Sequence, residues 1–328
     1  MVKFQTSAKI MMEAVLMDTQ HYQLRISGLT EDSGKIKATT LTGVVEALRK
    51  VAETTVLLLA TGTGSSKGAK PKWLKEVTDF VITDLSSCST ILGLEAPKLK
   101  YAAHDQFAQD KMFGRQTNLE DTSLDLVAAS IKETQMESPV GEYFDTSVME
   151  AIKEFSKVAG TTAVYQLTPE GCAHGEFLLD SKEFSVISEK QQNIPNPHTT
   201  IISGTLDEIK YGNGYFCLLM DEKTLINGRL NLDLEGVETL RHLWGKPATA
   251  RGKIFFKASG QARFIEAEKI WAKEKGDDIF KKMPSAPKTI SETLFELERS
   301  QDKAFDIQKL VGTWPGDESI EELLAELD

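Results

Sequence analysis

The sequence predicts an α+β protein: an N-terminal domain containing a β-α-β-β unit, then a small five-stranded OB-like β-barrel, then a tethered C-terminal helical tail. Three observations predict it. Over the first hundred residues the apolar spacing switches between strand and helix periods. From Thr199 the order becomes β-β-β-α-β-β within about 72 residues, the order and length of an OB-like barrel. The last eighteen residues, VGTWPGDESIEELLAELD, carry a capped apolar stripe after a polar, proline-broken stretch. The expected boundaries are 1–195 for the N-terminal domain, 196–271 for the barrel, 272–310 for a linker with a candidate helix, and 311–328 for the tail.

Taken in order, YQLRISGL alternates at Leu24 and Ile26 and reads as a strand. Thr39 or Thr40 is placed to cap a helix with Leu41, Val44, Val45, Leu48, Val51 and Ala52 on one face. That helix fades at the Gly/Ser/Lys loop ATGTGSSKGAKPK. EVTDFVITDL and STILGLEAPKL, joined at Ser86-Ser87, read as a β-hairpin. TSLDLVAASIKET and DTSVMEAIKEFSKVAG read as helices, the second stopped by Gly160. TAVYQLTPE and HGEFLLD read as short strands. The prolines of IPNPH mark the boundary. In the barrel segment TTIISGTLDEIK, YFCLLMDE, TLINGRLN, PATARGKIFFKASG and QARFIEAEKI are the strands, and a helix over 234–244 separates the third from the fourth. Gly204, Gly228 and Gly252 fall inside strands, where barrels bend or bulge. In Phe255-Phe256 one ring must face inward and the other outward.

The chain has 328 residues and a net charge of −11, which argues against nonspecific nucleic-acid binding by the whole surface. Residues 199–270 hold ten Lys/Arg against nine Asp/Glu, near neutral beside the acidic remainder. Cys88, Cys172 and Cys217 are sparse and odd in number, which reads as reduced thiols in the cytoplasm. No apolar run reaches the roughly 18 residues of a membrane span, and no signal-peptide pattern opens the chain.

Several motifs fail on inspection. GTGSSKGAK has Lys67 where a Walker loop needs its second glycine, and it follows a helix. Among His21, His104, His174, His198 and His242, only Cys172-x-His174 forms a close pair, and no second pair stands at zinc spacing. No nucleophile elbow exists. The sequence therefore predicts no enzyme, no metal and no cofactor. Tyr211, Tyr215, Phe216, Phe255, Phe256 and Phe264 could stack bases of a single strand, or serve as core and domain contacts. The first use would make the chain a nucleic-acid-binding accessory protein.

The tail carries the clearest signal. Ser319 and Glu322 form a capping-box pattern, and Ile320, Leu323, Leu324 and Leu327 share one face. A helix this short does not hold alone in water, so it packs on its own body or on another protein. Its i, i+3, i+4, i+7 spacing is that of helix-in-groove recognition. Trp314 is an anchor type enriched in hot spots, next to Pro315, and Asp317 and Glu318 add charge.

YQLRISGL, PKWLKEVTDFVITDLSSCSTILGLEAP, SGTLDEIKYGNGYFCLLMDEKTLINGRL, LWGKPATARGKIFFKASGQARFIEAEKI and WPGDESIEELLAELD together resemble a little-studied bacterial family. Its members are often encoded beside PIN-domain ribonuclease toxins of the VapC type. The resemblance implies an antitoxin whose partner is such a toxin, with Trp314, Pro315, Asp317, Glu318, Ile320, Leu323, Leu324 and Leu327 on the partner-binding face. The acidic residues of the tail would then occupy the nuclease's basic RNA surface. The chain is larger than a short antitoxin. It shows no helix-turn-helix or ribbon-helix-helix pattern, so DNA binding is not implied.

Overall fold

The fold was obtained as a computed structural model, which describes residues 19–29, 35–65, 69–86, 90–107, 117–160, 162–171, 175–210, 214–220, 224–230 and 240–286. The chain divides into two compact units, Met1–Ala286 and Pro287–Asp328. The second unit, and with it every tail residue from Val311 to Asp328, lies outside the described residues.

The first unit is mixed α+β and holds two large apolar cores, one under the sheet and one in the barrel, with a smaller cluster around Val56, Leu74, Leu99 and Phe107. Strand β1 (Thr19–Ser27) alternates as its sequence predicts: Tyr22, Leu24 and Ile26 are buried while Gln23 and Arg25 face out. It forms the centre of an antiparallel sheet ordered β2-β3-β1-β4-β5, with β2 Val81–Ser86, β3 Thr90–Pro97, β4 Val164–Pro169 and β5 Phe177–Leu179. Helices cover one face: α1 (Ala38–Thr61), α2 (Lys72–Thr78), α3 (Ser123–Gln135), α4 (Thr146–Val158) and α5 (Ser181–Asn193).

Local chemistry fixes these helices. Thr122 caps α3 in a reciprocal capping box with Asp125, and the Thr122 hydroxyl also meets the buried Tyr22 hydroxyl at 2.6 Å. Asp145 caps α4 by accepting from Val148 N at 2.9 Å. Helix α1 ends on Gly62, whose φ of +85° favours glycine.

The sequence expectation departs from the fold at four places. Helix α1 starts on Lys37 with no side-chain cap bond, so Thr39 and Thr40 lie within its first turn rather than capping it. Glu76–Thr78 belong to α2, not to a strand; Pro71 opens that helix, and Leu74 and Val77 anchor it. Helix α5 has no periodic signal strong enough to announce it, since Ile187 is its sole buried residue; it is capped by Asp180. Finally, the stretch from 272 expected as linker is described as far as Ala286, and that part packs on the barrel. Asp277–Lys281 form a 3-10 turn, Asp277 accepts from the buried Thr249 hydroxyl at 2.7 Å, and Met283 and Ala286 lie against the barrel core.

The second core fills a closed barrel of five strands, as expected. These are β6 (His198–Lys210), β7 (Tyr215–Leu219), β8 (Leu225–Leu230), β9 (Pro247–Phe256) and β10 (Ala262–Ala272), ordered β10-β8-β7-β6-β9 with β8 and β10 parallel. The order is compatible with an OB-like barrel. Of the expected 234–244 helix, residues 240–243 are described and helical, and Leu240 and Leu243 are buried in the barrel core. Phe256 points into that core and Phe255 out of it. The strand glycines mark close approach. A Cβ on Gly228 would meet the Phe216 ring at 2.4 Å, and one on Gly252 would meet Glu266 O at 2.2 Å. The bulge at Ala267/Lys269 falls opposite Gly252, as expected of a strand glycine, and the other two lie at Leu206/Glu208 and Ala262/Phe264.

Candidate functional site

The outward side of the barrel carries three of the aromatic residues singled out from the sequence, Tyr215, Phe255 and Phe264, together with Trp271. They divide into two sets.

The first set meets the helical layer. Phe264 is 2% exposed although it points out of the barrel. The end of α1 presses on it: a Cβ on Gly62 would stand 2.7 Å from its ring. Tyr215 tilts against Phe264 at 6.3 Å between centroids. Burial raises the Tyr215 phenol above its ordinary pKa, partly offset by a hydrogen bond with Thr61 and by the Arg229 charge. Beside them, Arg263 is 4% exposed and donates to Glu142 O at 3.2 Å and Phe144 O at 2.9 Å. Lys257 pairs with the Glu142 carboxylate.

The loop that receives Arg263 is itself held from behind. The buried Glu133 carboxylate on α3 accepts from Gly141 N at 2.8 Å, Glu142 N at 3.0 Å and Tyr143 N at 2.7 Å. Three donors satisfy a charge that would otherwise be costly to bury. Their N–H groups are thereby turned toward Glu133, and the carbonyls of Glu142 and Phe144 are left to accept from Arg263. Gly64 N donates to Asp145 at 2.7 Å and ties the Gly/Ser/Lys loop to α4. At that point the loop meets a carboxylate of the protein's own; residues 66–68 lie outside the described residues.

The second set faces solvent. Lys253 sits 5.6 Å over Phe255, and Lys269 sits 5.8 Å over Trp271. Arg251 is exposed and lies 3.9 Å from Glu268. Across the ladders Lys253 is level with Glu266, and Glu266 with Arg229, which stacks over Tyr215 at 5.7 Å. Arg229, Arg251, Lys253 and Lys269 thus stand against Glu266 and Glu268, a locally basic stripe on an acidic chain. Sequence counting missed it because the 199–270 window averages the stripe with the acidic residues of 207–208, 221–222 and 233–238.

Of the base-stacking candidates, Phe216 and Phe256 are in the barrel core, Phe264 and Tyr215 are in the seam, Phe255 borders both sets, and Tyr211 lies outside the described residues. Trp314, Pro315, Asp317, Glu318, Ile320, Leu323, Leu324 and Leu327 also lie outside them. Cys217 is buried, and among the described residues no group of three or more His, Cys, Asp or Glu could hold a metal ion. No helix among them is long and apolar enough to cross a membrane. Compared with protein-family models, curated proteins and solved structures, the chain matches none.

Proposed function

We propose that the chain is a protein-binding, antitoxin-like inhibitor of the cytoplasm that neutralises a PIN-domain ribonuclease through its C-terminal tail. One observation carries the reading: the chain divides after Ala286, so the tail belongs to a unit separate from the body. The tail sequence supplies an anchor tryptophan, four aliphatic residues at helix-in-groove spacing and six acidic side chains. The commitment of Phe264 and Tyr215 to a seam within the body supports the same reading, because it withdraws two rings from ligand binding. On this reading the chain is not an enzyme.

The test is co-expression with a PIN-domain toxin encoded beside the gene, comparing the full chain with a form lacking 311–328. Rescue of growth by the full chain alone is expected. Full rescue by the shortened form overturns the proposal.

A second reading is favoured by the basic stripe: weak binding of single-stranded nucleic acid on the β9–β10 side, with Lys253 and Lys269 meeting phosphates and Trp271 offering a ring. Binding of a short single-stranded oligonucleotide that is lost on Lys253→Glu with Lys269→Glu supports it. Binding indifferent to both changes removes it.

A further inference from the structure

The five-stranded sheet ends in two edges of unlike construction. Strand β5 is three residues long, and Gln135 Nε2 donates to its Leu178 O at 3.0 Å. Strand β2 is six residues long, and no strand lies beyond it among the described residues. Val81 is 60% exposed, Ile82 44% and Leu85 53%. Edge strands are usually blunted by lysine, proline or a covering element, because their unpaired N–H and C=O groups template further pairing. Strand β2 contains neither lysine nor proline, and its single charge is Asp84.

The register of β2 on β3 gives it an unusual symmetry. Ile82 is level with Leu94 and Leu85 with Leu92, both core residues, so Ile82 and Leu85 extend two core rows to the open edge. Residues three apart share a face here because a bulge falls between Ile82 and Asp84. The bulge is accommodated by Gly93: a Cβ there would lie 2.7 Å from Thr83 Oγ1 and 3.2 Å from Asp84 Cβ. Thr83 and Asp84 therefore both lean to the Gly93 side, away from the helices. About the midpoint between Thr83 and Asp84 the faces read the same in both directions.

We infer that β2 pairs antiparallel with β2 of a second copy of this chain about a two-fold axis, joining two sheets edge to edge. Ile82 of each copy faces Leu85 of the other, so the core rows run on across the junction. Thr83 of each faces Asp84 of the other, where a hydroxyl can donate to the carboxylate. Such a junction is isologous and closes on itself, so it stops at two copies. Neighbouring registers fail. A slip in one direction sets Asp84 against Asp84, like charges directly opposite. A slip in the other sets Ile82 against Asp84 and puts their side chains on opposite faces.

The measurement is the solution mass of the full chain by light scattering, with the single-chain mass being 36.3 kDa. A mass of twice that value is expected, falling to one chain in Ile82→Lys and in Leu85→Lys. Each variant should still unfold cooperatively, with a melting temperature that no longer depends on protein concentration, because both side chains are exposed in the single chain and only the junction is lost. In a Cys88→Ser background, a mixture of Thr83→Cys and Asp84→Cys proteins should form a disulfide between the two variants faster than either forms one alone. A single-chain mass for the unaltered protein, a doubled mass unchanged by either lysine, or no preference for the mixed disulfide would overturn the inference.

Discussion

On the outer surface of the barrel Phe264 and Tyr215 are pressed against the end of α1, while Phe255 beside them and Trp271 farther along lie beneath lysines that face water. The residue types are alike and the fates are not. What separates them is the partner each outward ring meets. Gly62 has no side chain and lets the α1 terminus touch Phe264, and Arg263 then locks the neighbouring loop. Among the described residues no such layer stands over Lys253 and Lys269. A count of aromatic residues in an OB-like segment therefore does not locate a binding face; the covering layer decides which rings remain open to a ligand.

The comparison breaks most visibly at the seam. Phe264→Ala should cost about 3–5 kcal/mol, the range for deleting a buried ring. Calorimetry should then show the sheet layer and the barrel melting separately instead of together. Arg263→Ala should cost about 1–3 kcal/mol, since it removes the guanidinium donor from the buried Phe144 carbonyl and the part-buried Glu142 carbonyl. Chemical denaturation measures that loss, and an unchanged midpoint would mean that water replaces the guanidinium.

A smaller effect is expected where the chain after β10 is bolted to the barrel. The Asp277 carboxyl is held below its ordinary range by the Glu274 N–H and then by the Thr249 hydroxyl. Lys273 and Lys281 lower Asp278 to about 2. Both pKa values are depressed in the folded state, so this contribution is complete above about pH 4 and is lost as the pH falls toward about 2. Asp277→Asn should flatten the acid side of the melting-temperature profile over that window. A profile identical to that of the unaltered protein would show that Asp277 holds nothing. The smallest effect belongs to the open stripe: Lys253→Ala and Lys269→Ala should each shift stability by no more than about 0.5 kcal/mol.

Much of this architecture is legible in the chain itself. The alternation of Tyr22, Leu24 and Ile26 gives β1, and the strand order from His198 to Ala272 gives the barrel. The split of Phe255 from Phe256 follows from strand geometry alone. The features that decide the candidate site are not legible, and the reason is distance along the chain. Gly62 and Phe264 are 202 positions apart, and Arg263 finds its carbonyls at Glu142 and Phe144. Nothing local to either partner announces the other. The bulge at Thr83 depends likewise on Gly93 across the hairpin. Helix α5 escapes notice because it buries so little, and the wrap of 273–286 because its polar residues resemble those of a linker until Thr249 and Asp277 are brought together.

We propose that partner binding resides in the tail while Phe264 and Tyr215 of the barrel serve the body. Calorimetric titration of the full chain against a PIN-domain nuclease encoded beside it tests this most directly. Trp314→Ala and Leu323→Ala should each weaken the complex by roughly 1–4 kcal/mol, while Lys253→Ala leaves it unchanged. Unaltered affinity in both tail variants, with loss in Lys253→Ala, would contradict the account and assign recognition to the barrel.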